Sequence, residues 1–126
     1  MANKSSVYIN EIMKIDTGTL HAVGRARMGT ASGAVRVVPT SVDGRTLVVN
    51  CADGDRVLLI EAGTLSLTRQ IPVGTMPIGI AVPDDRFAYA ANMADDTISV
   101  IDIRRGVVVR TMPAGDDPDG IVFLPD

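Results

Sequence analysis

The stretch Arg69-Gln70-Ile71-Pro72-Val73-Gly74-Thr75-Met76-Pro77-Ile78-Gly79-Ile80 returns 41 positions later as Arg110-Thr111-Met112-Pro113-Ala114-Gly115-Asp116-Asp117-Pro118-Asp119-Gly120-Ile121. Over the window 60–85, eight residues recur unchanged at this shift. The pairs are Ile60/Ile101, Arg69/Arg110, Pro72/Pro113, Gly74/Gly115, Pro77/Pro118, Gly79/Gly120, Ile80/Ile121 and Asp85/Asp126. A third copy lies upstream at a shift of 45. There Ile15 matches Ile60, Gly18-Thr19-Leu20 matches Gly63-Thr64-Leu65, and Gly29-Thr30 matches Gly74-Thr75.

Each period is built for strands. The 126 residues hold thirteen Asp against two Glu, and ten Arg against two Lys. Asp collects at turns, because its short carboxylate bonds nearby backbone amides, while Glu and Lys favour helices. Short apolar segments rich in Val and Ile suit strands. They fall at 12–15, 22–28, 34–38, 46–50, 57–60, 66–73, 79–82, 87–91, 98–101, 107–112 and 121–124. Asp, Gly and Pro clusters separate them, such as Ala52-Asp53-Gly54-Asp55 and Pro83-Asp84-Asp85. The run Val57-Leu58-Leu59-Ile60 does not alternate with polar residues, so it predicts a strand buried on both faces. Sheets stacked face to face provide that environment.

A repeat of roughly 40–45 residues holding four strands is the signature of a β-propeller blade. The fold class expected is therefore all-β: a propeller segment of about three four-stranded antiparallel blades, not a closed ring by itself. The frame is permuted, C-D, A-B-C-D, A-B-C-D, A. Residues 1–33 form a partial blade, 34–76 and 77–117 are full blades, and 118–126 give the first strand of a further one.

The motifs also resemble a known family. Residues 71–82 are similar to the core of YVTN-type (YncE-like) propeller repeats. Phe87-Ala88-Tyr89-Ala90-Ala91-Asn92 resembles the strand that names them, and Asp96-Thr97-Ile98-Ser99-Val100-Ile101-Asp102 the strand that follows. The likeness covers roughly residues 12 to 126 and is weakest in the first period, where Ser32 is aligned with the Pro and Ala34 with the second Gly. It implies a radial propeller with strand A innermost, often in bacterial surface or periplasmic proteins. It implies no single activity.

On that strand order, the D–A and B–C loops share one face. This face collects Asp53, Asp55, Asp95, Asp96, Asp116, Asp117 and Asp119, with Arg56 as the nearby cation. The opposite face mixes Arg45, Arg86, Arg104 and Arg105 with Asp43, Asp84 and Asp85. Propellers commonly bind ligands on the first face, which is a fold-level analogy. Asn50 and Asn92, each closing a strand B, are aligned with one another and are expected to bond local backbone at the turn, the functional option being polar ligand contact at the channel mouth. The Asp clusters match no EF-hand spacing and are expected to act as turn carboxylates, with no metal site.

Catalytic groups are not expected within the chain. One His (His21) and one Cys (Cys51) exclude an internal disulfide and a Cys/His zinc cluster. His21 falls at an outer strand without a partner base, and Cys51 is expected to pack in the core. Ser5, Ser6 and Ser32 lack a nucleophile-elbow context. Four aromatics, Tyr8, Phe87, Tyr89 and Phe123, are too sparse for a stacking platform. The net charge of -3 disfavours nucleic acid as a partner. No apolar run suggests a membrane span, and no export signal is legible, so the default compartment is cytoplasmic although relatives are often exported.

The function expected is a non-enzymatic binding or scaffold module, with no cofactor, acting through its acidic loop face on a small molecule or protein. Its further partners are the remaining blades of a longer propeller or a second copy of the chain. The alternative is a piece of a propeller enzyme, a lactonase-like hydrolase or a redox-cofactor partner, whose catalytic groups lie in other blades.

Overall fold

The computed structural model describes residues 11–27, 34–40, 44–122 and 124. Ser5, Ser6, Tyr8, Ser32, Asp43, Phe123 and Asp126, along with Gly29 and Thr30, lie outside the described residues. Ten strands follow one another without a helix among the described residues. They are β1 (Glu11–Asp16), β2 (His21–Arg27), β3 (Ala34–Pro39), β4 (Thr46–Cys51), β5 (Arg56–Glu61), β6 (Leu67–Pro72), β7 (Pro77–Ala81), β8 (Phe87–Asn92), β9 (Thr97–Asp102) and β10 (Val107–Pro113). Three antiparallel sheets result, β1-β2, β3-β4-β5-β6 and β7-β8-β9-β10. No sheet closes on itself: these are successive blades of a β-propeller.

The core lies between the sheets. Because side chains alternate across a strand, the middle sheet sends two sets of apolar groups in opposite directions. Val48, Val57, Leu59 and Ile71 pack with Ile80, Ala88, Ala90 and Ile101 of the third sheet. Val49, Cys51, Leu58 and Ile60 pack with Ala26 of the first sheet and with Leu65. This is why β5 reads as an unbroken apolar run: Val57 through Ile60 are all buried, as the sequence predicts.

The repeat extends to the irregularities. Each outer strand carries one bulge against its neighbour, skipping Val23, Thr68 and Val109 in turn. Each innermost strand of the two full sheets carries another, skipping Val35 and Ile78. Bulges strengthen twist and spoil exposed edges for pairing with other chains. The C–D turns place Leu20, Leu65 and Gly106 at φ of 61°, 59° and 66°.

Three expectations from the sequence need correction. Asn50 and Asn92 are not equivalent. Asn50 lies opposite Val57, whereas Asn92 lies opposite Thr97, the place that Cys51 takes opposite Arg56. One residue of offset moves a side chain to the other face of its sheet. Likewise Ala34, opposite Cys51, stands where Pro77 stands opposite Asn92, and Arg36 stands at the Gly79 position. The alignment slips because, counted from equivalent residues, the connection from strand A to strand B is two residues longer in the middle sheet (40–45 after Pro39, against 83–86 after Val82), so the shift is 43 along strand A and 41 along strand B. Finally, the strand expected at 121–124 is not formed: Ile121, Val122 and Leu124 have no strand pairing. A lone strand cannot satisfy its backbone groups, and no described strand flanks this one.

Candidate binding face

The D–A and B–C loops do meet on one face, and their carboxylates hold them together. Asp55 and Asp96 occupy the same left-handed corner of successive B–C turns, at φ of 54° and 58°. Asp55 accepts a hydrogen bond from Met76 N at 2.9 Å through its carboxylate and from Val73 N at 3.1 Å through its carbonyl. Asp96 does the same one blade later. Its carboxylate takes Asp117 N at 2.9 Å, and its carbonyl takes Ala114 N at 2.9 Å. Met76 and Asp117 are themselves in the left-handed region, at φ of 61° and 47°. A non-glycine residue there is disfavoured, and the bond to the aspartate helps hold it.

Asp95 adds a third clasp, accepting from Thr75 N at 2.7 Å. Gly74 is required beside it: a Cβ would come within 2.5 Å of Asp95 Oδ2 and 2.7 Å of Asn92 Cγ. Thus Asp55, Asp95 and Asp96 are committed to loop architecture. The carboxylates of Asp53, Asp116, Asp117 and Asp119 make no hydrogen bond among the described residues, and all four residues are exposed.

The two asparagines are both fully buried and act differently. Asn50 accepts from Arg36 N at 2.9 Å and donates to Pro77 O at 3.1 Å, tying the innermost strands of two blades together. Asn92 donates to Ser99 Oγ at 2.9 Å and to Thr97 Oγ1 at 3.2 Å, while its Oδ1 has no partner. Both side chains are closed off from solvent, Asn92 lying beneath Gly74 and Asp95 of the acidic loops.

The opposite face uses its acids in the same way. Asp84 caps Phe87 N and Arg86 N, and these bonds hold its carboxyl below the ordinary range. Glu61 is lowered chiefly by the amide of Thr64. Arg86 lies over the Phe87 ring at 4.9 Å, a cation–π contact.

Cys51 is buried, and burial pushes its thiol upward, against a smaller lowering by Arg56. That is the reverse of an activated nucleophile. His21 is exposed at the first residue of β2. No group of three metal-ligating side chains occurs among the described residues, and no helix there is long and apolar enough to cross a membrane.

A groove of about 490 Å³ lies elsewhere. It runs beside β1 and is lined by Ile12, Lys14, Arg36, Val37, Leu47 and Leu65 among others. Arg36 was missed in the sequence reading. It sits in a run of valines that reads as a plain core strand, and only its charge within Val35-Arg36-Val37-Val38 marks it.

No family model matches the chain, and no curated protein matches it. Solved structures do. Hydrazine synthase from Kuenenia stuttgartiensis is 33% identical, over 75% of this chain and 27% of that one, with a TM-score of 0.70. Apo AztD from Citrobacter koseri is 18% identical, over 90% of this chain and 32% of that one, with a TM-score of 0.76. A functionally unknown protein from Desulfotomaculum acetoxidans is 15% identical, over 87% of this chain and 37% of that one, with a TM-score of 0.74. The first two are β-propeller proteins. The chain spans 27% to 37% of the length of these three structures.

Proposed function

We propose that the chain is a non-enzymatic binding or scaffold module of a YVTN-type propeller, and that its acidic loop face takes a cationic partner such as a basic peptide segment. One observation carries this reading. The face divides its carboxylates between two tasks: Asp55, Asp95 and Asp96 lock the loops through backbone amides, while Asp53, Asp116, Asp117 and Asp119 stand exposed on the locked frame. Pre-ordered loops reduce the entropy lost on binding, and a predominantly acidic surface steers an oppositely charged partner. Titration with an oligolysine peptide tests it. Wild type is expected to bind, more weakly at high salt. The Asp53→Asn/Asp116→Asn/Asp119→Asn variant is expected to keep its Tm and lose the binding. Equal binding by the variant would sink the proposal.

A second reading makes the chain one portion of a larger propeller enzyme. The 33% identity to a hydrazine synthase favours it. Adjoining coding sequence with further repeats of this length and inward-facing His, Glu or Asp would support this reading over the first.

A further inference from the structure

The contacts between blades follow a size rule. Leu20, Leu65 and Gly106 occupy one turn position: each N–H donates to the carbonyl four residues back, in Asp16, Glu61 and Asp102. Gly24, Arg69 and Arg110 occupy one outer-strand position, opposite Lys14, Leu59 and Val100. The outer strand of each blade packs on the turn of the next. At the first such contact Gly24 receives Leu65, and a Cβ on Gly24 would lie 3.2 Å from Leu65 Cδ1. At the second contact the sizes are exchanged. The Arg69 stem covers Gly106, where a Cβ would lie 2.8 Å from Nε and 2.9 Å from Cδ.

Leu20 is the unmatched member of this series. It shares the left-handed backbone of Leu65, which a branched side chain disfavours. Leu65 is 7% exposed and Leu20 is 78% exposed. Met13 and Ile15 are exposed as well, and they stand at the positions of Leu58 and Ile60, which pack toward the preceding sheet, so the two-stranded sheet presents an apolar surface on that side. Leucine is disfavoured at such a backbone position, and burial in a contact like that of Leu65 would offset the cost.

We infer that this surface seats a propeller blade of different sequence, whose outer strand carries glycine, or at most alanine, at the Gly24 position. A second copy of the chain does not fit. Head-to-tail docking would continue the series by bringing Arg110 onto Leu20, a large side chain against a large one, with no glycine on either side to receive it. The size rule therefore selects which blade can precede the first sheet. This inference concerns a different surface from the acidic loop face and stands apart from the proposed function.

Sedimentation velocity on the full chain tests it. Wild type is expected to show no head-to-tail association, while Arg110→Gly supplies the missing small residue and is expected to associate at least roughly tenfold more tightly. Arg110→Ala serves as a second variant that avoids added backbone freedom in β10. A chain carrying both Leu20→Asp and Arg110→Gly cannot pair with itself, and is expected to bind wild type one to one. That binding is expected to disappear when the second partner carries Leu20→Asp. Wild-type self-association as tight as that of the Arg110 variants would overturn the inference. So would the absence of any gain in both variants, or a gain that persists without Leu20.

Discussion

Leu65 Cδ1 lies 3.2 Å from where a Cβ on Gly24 would stand, and Arg69 fills the corresponding space over Gly106. The two contacts join different pairs of blades with the large residue on opposite partners. Gly106→Leu alone is expected to strike the Arg69 stem and to cost about 1–3 kcal/mol. Arg69→Gly in the same chain rebuilds the Gly24–Leu65 arrangement and is expected to recover part of that loss. A double-mutant cycle from urea melts reads the coupling. Independent effects at the two positions would contradict the contact.

Asp55 and Asp96 each hold a D–A link through one side-chain bond to an amide in a left-handed corner. Asp55→Ala and Asp96→Ala are each expected to lower stability by about 1 kcal/mol. Asp55→Asn, which keeps an acceptor oxygen, is expected to lose less. Asp53→Ala, whose carboxylate makes no such bond, is expected to leave the urea midpoint unchanged.

Asn50 and Asn92 are expected to part company on mutation. Asn50→Ala strands a buried Pro77 carbonyl and the Arg36 amide, at a cost of about 1–3 kcal/mol for each group left unpaired. Asn92→Ala gives up two bonds to the rotatable hydroxyls of Ser99 and Thr97, strands no backbone group by losing its side chain, and removes an oxygen that already lacks a partner, at a position where the preceding blade has Cys51. It is expected to cost clearly less in the same denaturation experiment.

Acid is expected to weaken the second face at Asp84. The amides of Phe87 and Arg86 favour its charged form, so its folded value lies below the ordinary 3.8. A depressed carboxylate contributes stability above its unfolded value, and that contribution is lost as pH falls through the folded one. Stability is thus expected to drop below about pH 4, modestly, since the group is solvent-screened. Asp84→Asn is expected to flatten this limb of a Tm-versus-pH curve.

The sequence reading located the strands because two signals agree: apolar runs of strand length, and Asp-Gly-Pro turns at a steady period. It also found the doubly buried β5, since Val57 to Ile60 break the alternation of a half-wet strand. From chain direction and the strand order of the resembled family, it expected the seven aspartates on one face. It did not separate the structural from the exposed ones, because a carboxylate that caps Met76 N and one that meets solvent have the same one-letter surroundings. The asparagine pairing failed for a reason of register. Side chains change face at each residue, so a loop two residues longer in one blade is enough to misassign Asn50. The Leu20–Leu65–Gly106 series was hidden because a left-handed leucine has no sequence mark.

The two apolar clusters lie on opposite sides of the middle sheet, and neither contains residues of all three sheets. Cooperativity therefore passes only between neighbours, as in a one-dimensional array. The β1–β2 hairpin rests on one cluster alone, so it can detach while the other stays closed. Heating is then expected to unfold the chain in steps, with a calorimetric enthalpy larger than the van't Hoff value. Cys51, beneath that hairpin, becomes a reporter: its alkylation in native buffer times the first step.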